Sequence, residues 1–178
     1  LPGGFITGKK APSNTLNVAL IGAWGRARAH YKGLKKENVV AICDVDENLF
    51  AERVDNVNKI QGEKPGTEVD MRRVFEDKEI DAVSVATPNH WHALATIWAV
   101  QAGKDVYVEK PCSHNVWEGR QMIEAARKYN RVVQVGFQNR SIDNVRKAMQ
   151  ALHNGVIGDV YMAKGLCYKP RGSFGRSE

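Results

Sequence analysis

The sequence predicts an α/β protein with a Rossmann-type, doubly wound parallel sheet. Short apolar runs alternate along the chain with helical patterns of about 10 to 15 residues, the signature of repeated βαβ units. The apolar runs are continuous and do not alternate with polar residues, which is typical of strands covered on both faces. The 178 residues, 43% hydrophobic and 26% charged, have an ordinary globular composition and allow one domain of about 150 residues.

Five strands and four helices follow in order. Strands are predicted at Leu16 to Ile21, Val39 to Cys43, Asp81 to Ala86, Asp105 to Val108 and Val132 to Val135. Between them, apolar residues at helical spacing predict helices at Ala27 to Leu34, Phe50 to Gly62, His90 to Ala102 and Asn115 to Tyr129. Asn115, followed three residues later by Glu118, forms a capping-box pattern that marks the start of the last helix.

The last part of the chain breaks this alternation. Ile142, Val145, Met149 and Leu152 predict one more helix, and Asp159 to Tyr168 then reads as a longer strand with no helix after it. We therefore predict a flexible leader over residues 1–14, a Rossmann domain over 15–140 and the incomplete beginning of a second domain over 141–178. A strand with two bare edges is expected to pair with another chain or remain disordered, and so to favour a homo-oligomer. The 178 residues alone are expected to turn over no substrate.

Charge and composition exclude several classes of protein. Lys and Arg number 26 against 20 Asp and Glu, but the basic residues are scattered and lack interleaved aromatics, so we expect no nucleic-acid partner. The longest apolar run, Ala93 to Val100, is far shorter than the roughly 20 residues of a membrane span. Three widely spaced cysteines argue against a disulfide framework. The first residue is Leu, so the protein is expected to be either cytoplasmic or exported with its signal already removed.

A dinucleotide-binding turn follows the first strand directly. The run Gly22-Ala23-Trp24-Gly25-Arg26-Ala27 has Gly at the first position of the G-x-G-x-x-G/A pattern, Ala at the last and Trp at the second glycine position. A tight turn between a strand and a helix exposes backbone N–H groups to a pyrophosphate. Because a second glycine normally allows close approach of the pyrophosphate, Trp24 leaves open a Rossmann sheet with a vestigial site.

An acidic residue at the end of the second strand favours NAD. Asp44 lies 22 residues after Gly22, where such proteins place the carboxylate that binds the adenosine ribose. Its charge would repel a 2′-phosphate, and Arg26 could offset that repulsion. The sequence thus predicts NAD as the preferred cofactor, with NADP as the alternative.

Polar residues crowd the ends of two later strands. Thr87-Pro88-Asn89-His90-Trp91-His92 follows one, and Glu109-Lys110-Pro111-Cys112-Ser113-His114 follows the other. Ligands of open α/β sheets bind at this edge, and a lysine there could act as acid or base beside a nicotinamide. His90, His92, Cys112 and His114 also offer the four ligands of a structural zinc, although their spacings are commonplace and we predict no metal site.

These motifs together resemble the glucose–fructose oxidoreductase / inositol dehydrogenase (Gfo/Idh/MocA) family. The resemblance rests on Thr-Pro-Asn-His-x-His, on Glu-Lys-Pro and on the Val-Gly-Phe-Gln-Asn-Arg of the last strand. It implies an NAD(P)-binding domain followed by a larger α/β domain with an open, mostly antiparallel sheet, and sugar-like or polyol substrates. By the same resemblance Lys110 contacts nicotinamide and substrate, and Pro111 is often cis. The remaining implied cofactor contacts are Thr87, Pro88, Asn89, His92, Glu109 and Gln138.

Three functions remain open. The first is an oxidoreductase that passes a hydride between NAD(P) and a CH–OH group of a sugar or polyol. The second is an NAD-dependent glycosidase that acts by transient oxidation and elimination. The third is a nucleotide-binding module without catalysis, in which Lys110 could be replaced without consequence.

Overall fold

The computed structural model describes residues 15–168 and 170, so the predicted leader lies outside the described residues. Six parallel strands form one sheet: β1 (Asn17–Ile21), β2 (Asn38–Cys43), β3 (Gly66–Glu68), β4 (Ala82–Val85), β5 (Asp105–Glu109) and β6 (Val133–Gly136). Their spatial order is β3-β2-β1-β4-β5-β6, the order of the dinucleotide-binding Rossmann fold. The predicted fold class is confirmed.

Six α-helices accompany the strands in the described part of the chain: α1 (Ala27–Gly33), α2 (Phe50–Gln61), α3 (Met71–Glu76), α4 (His92–Gln101), α5 (Val116–Lys128) and α6 (Asp143–His153). Gly62 ends α2 in a left-handed conformation with φ 85°. The Asn115 side chain accepts a hydrogen bond from the Glu118 N–H at 3.0 Å, as the capping-box pattern predicts. Single turns of 3₁₀ helix precede α2 and α4, so α4 begins two residues later than predicted.

The sheet is covered on both faces, as its continuous apolar strands predict. On one face, Ala19 and Ile21 pack in a cluster with the buried residues of α3, α4 and α5. On the other face, Leu20 and Ile42 pack with Tyr31 of α1 and Val57 of α2. Neighbouring residues of β1 therefore belong to different cores, and no position from Val18 to Ile21 can carry a polar side chain without burying it.

One short strand and one short helix of the structure were not predicted, and one predicted strand does not form. The short β3 and α3 were not predicted, because three and six residues are too few to show a period. The predicted strand at Asp159 to Tyr168 is absent: these residues form no regular structure and are exposed. A strand forms only where a neighbour takes its backbone hydrogen bonds, and none of the six strands of the described chain pairs with this segment.

The chain divides into two compact units between Phe137 and Gln138. The second unit contains α6, whose residues are all at least partly exposed. Within the described part of the chain, no helix is long and apolar enough to cross a membrane.

Candidate functional site

A cleft with a volume of about 880 Å³ lies at the carboxyl ends of β1, β2 and β4. The register places these ends together, because Ile21 pairs with Cys43 on one side and with Val85 on the other. The strand order reverses between β1 and β4, so the cleft lies at the topological switch point where open α/β sheets bind their ligands. Of the predicted site residues, the following line it: Gly22, Trp24, Gly25, Arg26, Asp44, Thr87 and Pro88.

Gly22 is forced by the close approach of the neighbouring strand end. Its φ is +91°, and a Cβ at this position would lie 2.8 Å from the carbonyl carbon of Ala86 and 2.8 Å from the nitrogen of Thr87. Its N–H donates to the Cys43 carbonyl at 2.8 Å. The turn is thus pressed between the ends of β2 and β4, and it leaves its outer side open to the cleft.

The backbone of Ala23 is held by hydrogen bonds to two oppositely charged side chains, Asp44 and Arg53. Its N–H donates to Oδ2 of Asp44 at 2.6 Å, and its carbonyl accepts from Nε of Arg53 at 2.7 Å. The other carboxylate oxygen of Asp44 accepts from the Asp46 N–H at 3.0 Å. Ala23 itself is buried and does not line the cleft, so its part is to hold the turn.

Arg53 was not predicted. It is only 2% exposed, lies on α2 and pairs through Nη1 with Glu52. The hydrogen bond and charge of Arg53 lower the pKa of the Glu52 carboxyl. A signal for Arg53 was present in the sequence, since it falls in the apolar stripe of Phe50, Val54 and Val57 at helical spacing.

The residues after β4 fit a polar ligand on the other wall of the cleft. Thr87 lines the cleft, and its hydroxyl oxygen is buried without a hydrogen-bond partner in the described structure. Buried hydroxyls are normally paired, so an unpaired one at the edge of a cleft suits a bound polar group. Together with the pressed glycine turn and Asp44, it fits the dinucleotide that the sequence predicts. Asn89 is exposed and lies outside the lining of the cleft.

His92 does not line the cleft. It is 2% exposed, with Nδ1 2.5 Å from the carbonyl oxygen of Pro111 and Nε2 2.9 Å from that of Thr87. It therefore ties the loop after β4 to the loop after β5. Both of its ring nitrogens face backbone carbonyl oxygens, which removes a ligand from the zinc alternative. Across the described residues, no group of three or more metal-ligating side chains is arranged to hold an ion.

In the Glu-Lys-Pro loop, Glu109 is buried and Lys110 is exposed. Glu109 is 4% exposed and turned into the protein, whereas Lys110 is exposed, and neither lines the cleft. The peptide bond between Lys110 and Pro111 is cis. Gln138 belongs to the second unit, in a 3₁₀ turn at Gln138–Ser141.

Comparison with known proteins decides the family. The Gfo/Idh/MocA model, described as an oxidoreductase family with an NAD-binding Rossmann fold, matches residues 16–137. The chain belongs to the Gfo/Idh/MocA family. The resemblance seen in its motifs is thereby confirmed.

Relatives of this Gfo/Idh/MocA chain include sugar and inositol dehydrogenases. Levoglucosan dehydrogenase of Pseudarthrobacter phenanthrenivorans is 35% identical over 96 residues, 54% of this chain and 25% of the relative. Myo-inositol 2-dehydrogenase of Thermotoga maritima is 28% identical over 152 residues, 84% of this chain and 44% of the relative. The chain thus spans less than half the length of either relative.

A solved structure shares the fold. Scyllo-inositol dehydrogenase from Lactobacillus casei, solved with bound NAD(H) and scyllo-inositol, is 26% identical with a TM-score of 0.69. The similarity covers 82% of this chain and 43% of that one. The Rossmann architecture of this Gfo/Idh/MocA chain is therefore one that holds NAD(H) in a related protein.

Proposed function

We propose that the chain binds NAD in preference to NADP and forms the cofactor-binding part of a dehydrogenase acting on a CH–OH group of a sugar or polyol. The observation that carries the proposal is the pairing of the Gly22 turn and the Asp44 carboxylate in one cleft at the switch point of the sheet. The names of the sugar and inositol dehydrogenase relatives support the substrate class.

The electrostatics of Asp44 support the cofactor preference. Its carboxylate is held on the cleft wall by two backbone N–H groups, from Ala23 and Asp46. Each carboxylate oxygen has a second lone pair, so a ribose hydroxyl can still donate to it. A 2′-phosphate in the same place would put two anions in contact. The bound cofactor would supply the hydride acceptor, while the chain's own residues orient it.

Calorimetric titration with NAD and NADP tests the preference. We expect the wild-type protein to bind NAD more tightly than NADP. In Asp44→Asn the affinity for NAD, divided by the affinity for NADP, should fall by about tenfold or more, because a hydrogen bond to a charged group is lost. Asp46→Asn is the matched control, because it removes an exposed charge two residues away without touching the cleft. Equal or tighter binding of NADP by wild type would refute the preference and point to Arg26.

Lys110 is proposed as the acid or base of the reaction. It is exposed and follows the last residue of β5, at the same edge of the sheet as the cleft. In a form of the protein that shows turnover, Lys110→Ala should lower kcat by about 10²-fold or more with little change in thermal stability. Exposed Lys164 provides the control, as Lys164→Ala. Unchanged turnover would leave Lys110 as a contact only, and turnover without net NADH would favour the glycosidase alternative.

A further inference from the structure

A buried polar cluster joins α1 to β4 and β5 beneath the Glu-Lys-Pro loop. Its members, Ser84, His30 and Glu109, are 3%, 8% and 4% exposed. None of them lines the cleft. The mechanism proposed above uses none of their side chains, so their burial needs another reason.

The contacts form a chain that ends at Lys110. His30 Nδ1 lies 2.7 Å from Oγ of Ser84, and Nε2 lies 3.0 Å from Oε1 of Glu109. One tautomer of a neutral imidazole satisfies both contacts: Nε2–H donates to the carboxylate, and Nδ1 accepts from the serine hydroxyl. Oε2 of Glu109 accepts from the Lys110 backbone N–H at 3.1 Å.

The cluster contains the residue types of a serine hydrolase triad but cannot act as one. Ser84 lies within β4 and is only 3% exposed. A substrate carbon therefore cannot approach its hydroxyl oxygen, as nucleophilic attack requires. The cluster therefore has a positional role.

Arg26 connects this cluster to the phosphate turn. Its Nε donates to Oε1 of Glu109 at 2.8 Å, while half of its side chain is exposed and the residue lines the cleft. A buried carboxylate is stable only with charged or hydrogen-bonding partners, and Arg26 supplies the full positive charge. One carboxylate thus holds a residue of the phosphate turn, a residue of α1 and the backbone of Lys110.

We propose that Glu109, oriented by His30, is a positioning residue that couples occupation of the phosphate turn to the placement of Lys110. The proposal rests on the proposed function, because the occupant is the diphosphate of a dinucleotide. A diphosphate beside the turn shares Arg26 with Glu109, so the carboxylate and the Lys110 amide respond to the occupant. Glu109 is 4% exposed and lies outside the lining of the cleft, so its proposed role is to position these groups, and its predicted contact with the cofactor stays a prediction.

Hydrogen exchange without cofactor tests the positioning itself. We expect Glu109→Gln to speed exchange of the Lys110 amide by about tenfold, because an amide bonded to a carboxylate loses its charged acceptor. Glu118→Gln is the matched control: Glu118 accepts from the His114 N–H at 2.9 Å in the same loop but lies outside the cluster. That control should speed exchange at His114 and leave Lys110 unchanged. Equal Lys110 exchange in wild type and Glu109→Gln would overturn the proposal.

Affinities for NAD, ADP-ribose and ADP test the coupling. In Glu109→Gln the affinity for NAD, divided by the affinity for ADP-ribose, should fall about tenfold. The reason is that the Glu-Lys-Pro loop, which carries Lys110, loses its position. ADP affinity should hold or rise, since Arg26 is released to the diphosphate. A uniform loss for all three ligands would show a merely structural role and overturn the proposal.

A second variant covers a failure of Glu109→Gln to fold. Arg26→Gln changes a half-exposed side chain, and it should weaken ADP while also lowering the NAD to ADP-ribose ratio. An unchanged ratio in Arg26→Gln would overturn the coupling. If wild type binds no NAD, the proposed function fails together with the coupling, and the exchange experiment still decides whether Glu109 positions the loop.

Discussion

Replacing Gly22 by alanine tests the packed turn on which the cofactor site depends. The φ of +91° is a conformation that costs an alanine about 1–2 kcal/mol. The new Cβ would also lie 2.8 Å from two backbone atoms at the end of β4. Backbone cannot move aside as a side chain can, so overpacking adds about 1–3 kcal/mol. We expect Gly22→Ala to destabilise the protein by about 2–5 kcal/mol in all.

Gly25→Ala is the matched control within the same turn. Gly25 also has a positive φ, +55°, but a Cβ there meets nothing within 4 Å. It should therefore cost only the conformational term of about 1–2 kcal/mol. The difference between the two variants isolates the contact with β4.

Urea unfolding followed by tryptophan fluorescence measures the difference. With a slope of about 1.5 kcal/mol/M, a difference of 1–3 kcal/mol separates the two midpoints by about 0.7–2 M. Gly22→Ala should also lose NAD affinity more severely than Gly25→Ala. Equal midpoints for the two alanine variants would refute the reasoning, because the turn would then not be pressed against β4.

Two further predictions concern titrating groups. Burial raises the pKa of Cys43 to about 12, with a smaller contribution from nearby Glu68 and other carboxylates. The thiol is therefore not ionised at pH 8. In a variant with Cys112→Ser and Cys167→Ser, a disulfide reagent at pH 8 should label Cys43 only after the protein unfolds. Rapid labelling of the native variant would contradict this. Hydrogen bonds from Arg72 lower the pKa of Asp70 to about 2, below an ordinary value near 3.9, so its contribution is present above about pH 4 and is lost as pH falls toward 2. Asp70→Asn should flatten the fall of Tm across that window, and the same slope as in wild type would contradict the assignment.

The sheet was predictable because its signal is local and repeated. Each of the five predicted strands is a short apolar run, and the buried pattern of β1 follows directly from Val18 to Ile21. The Asn115 capping box fixed the start of α5 to the residue. In contrast, β3 takes its place from pairing with β2, and nothing within Gly66–Glu68 marks it as a strand. The strand predicted at Asp159 to Tyr168 was wrong for the converse reason. Its local pattern is that of a strand, but no strand of the described chain pairs with it.

The site was predictable by position but not by direction. The motifs placed Glu109 and Lys110 at the end of one strand and His92 after another, and in the structure Glu109 ends β5 and His92 begins α4. The structure also turns Glu109 and His92 inward, onto His30 and onto backbone carbonyls. Sequence spacing shows where a residue stands along the chain, whereas the direction of a side chain at a strand end depends on which loops meet it. His30 was visible as a polar residue between the buried Ala27 and Tyr31 of α1, but only the fold supplies its partner.

Trp24 shows how the turn departs from the usual pattern and keeps its geometry. The second glycine of the pattern is replaced, and Gly25, one position later, takes the positive φ. Among the described residues other than glycine, only Asn130 has a positive φ, so the backbone of Trp24 is ordinary. Trp24 is 72% exposed and lines the cleft. With Ala23 fixed by Asp44 and Arg53, the conformational demand of the turn falls on Gly22 and Gly25. The side chain at position 24 is thereby free to be large, because the turn needs glycine at positions 22 and 25 and not at 24.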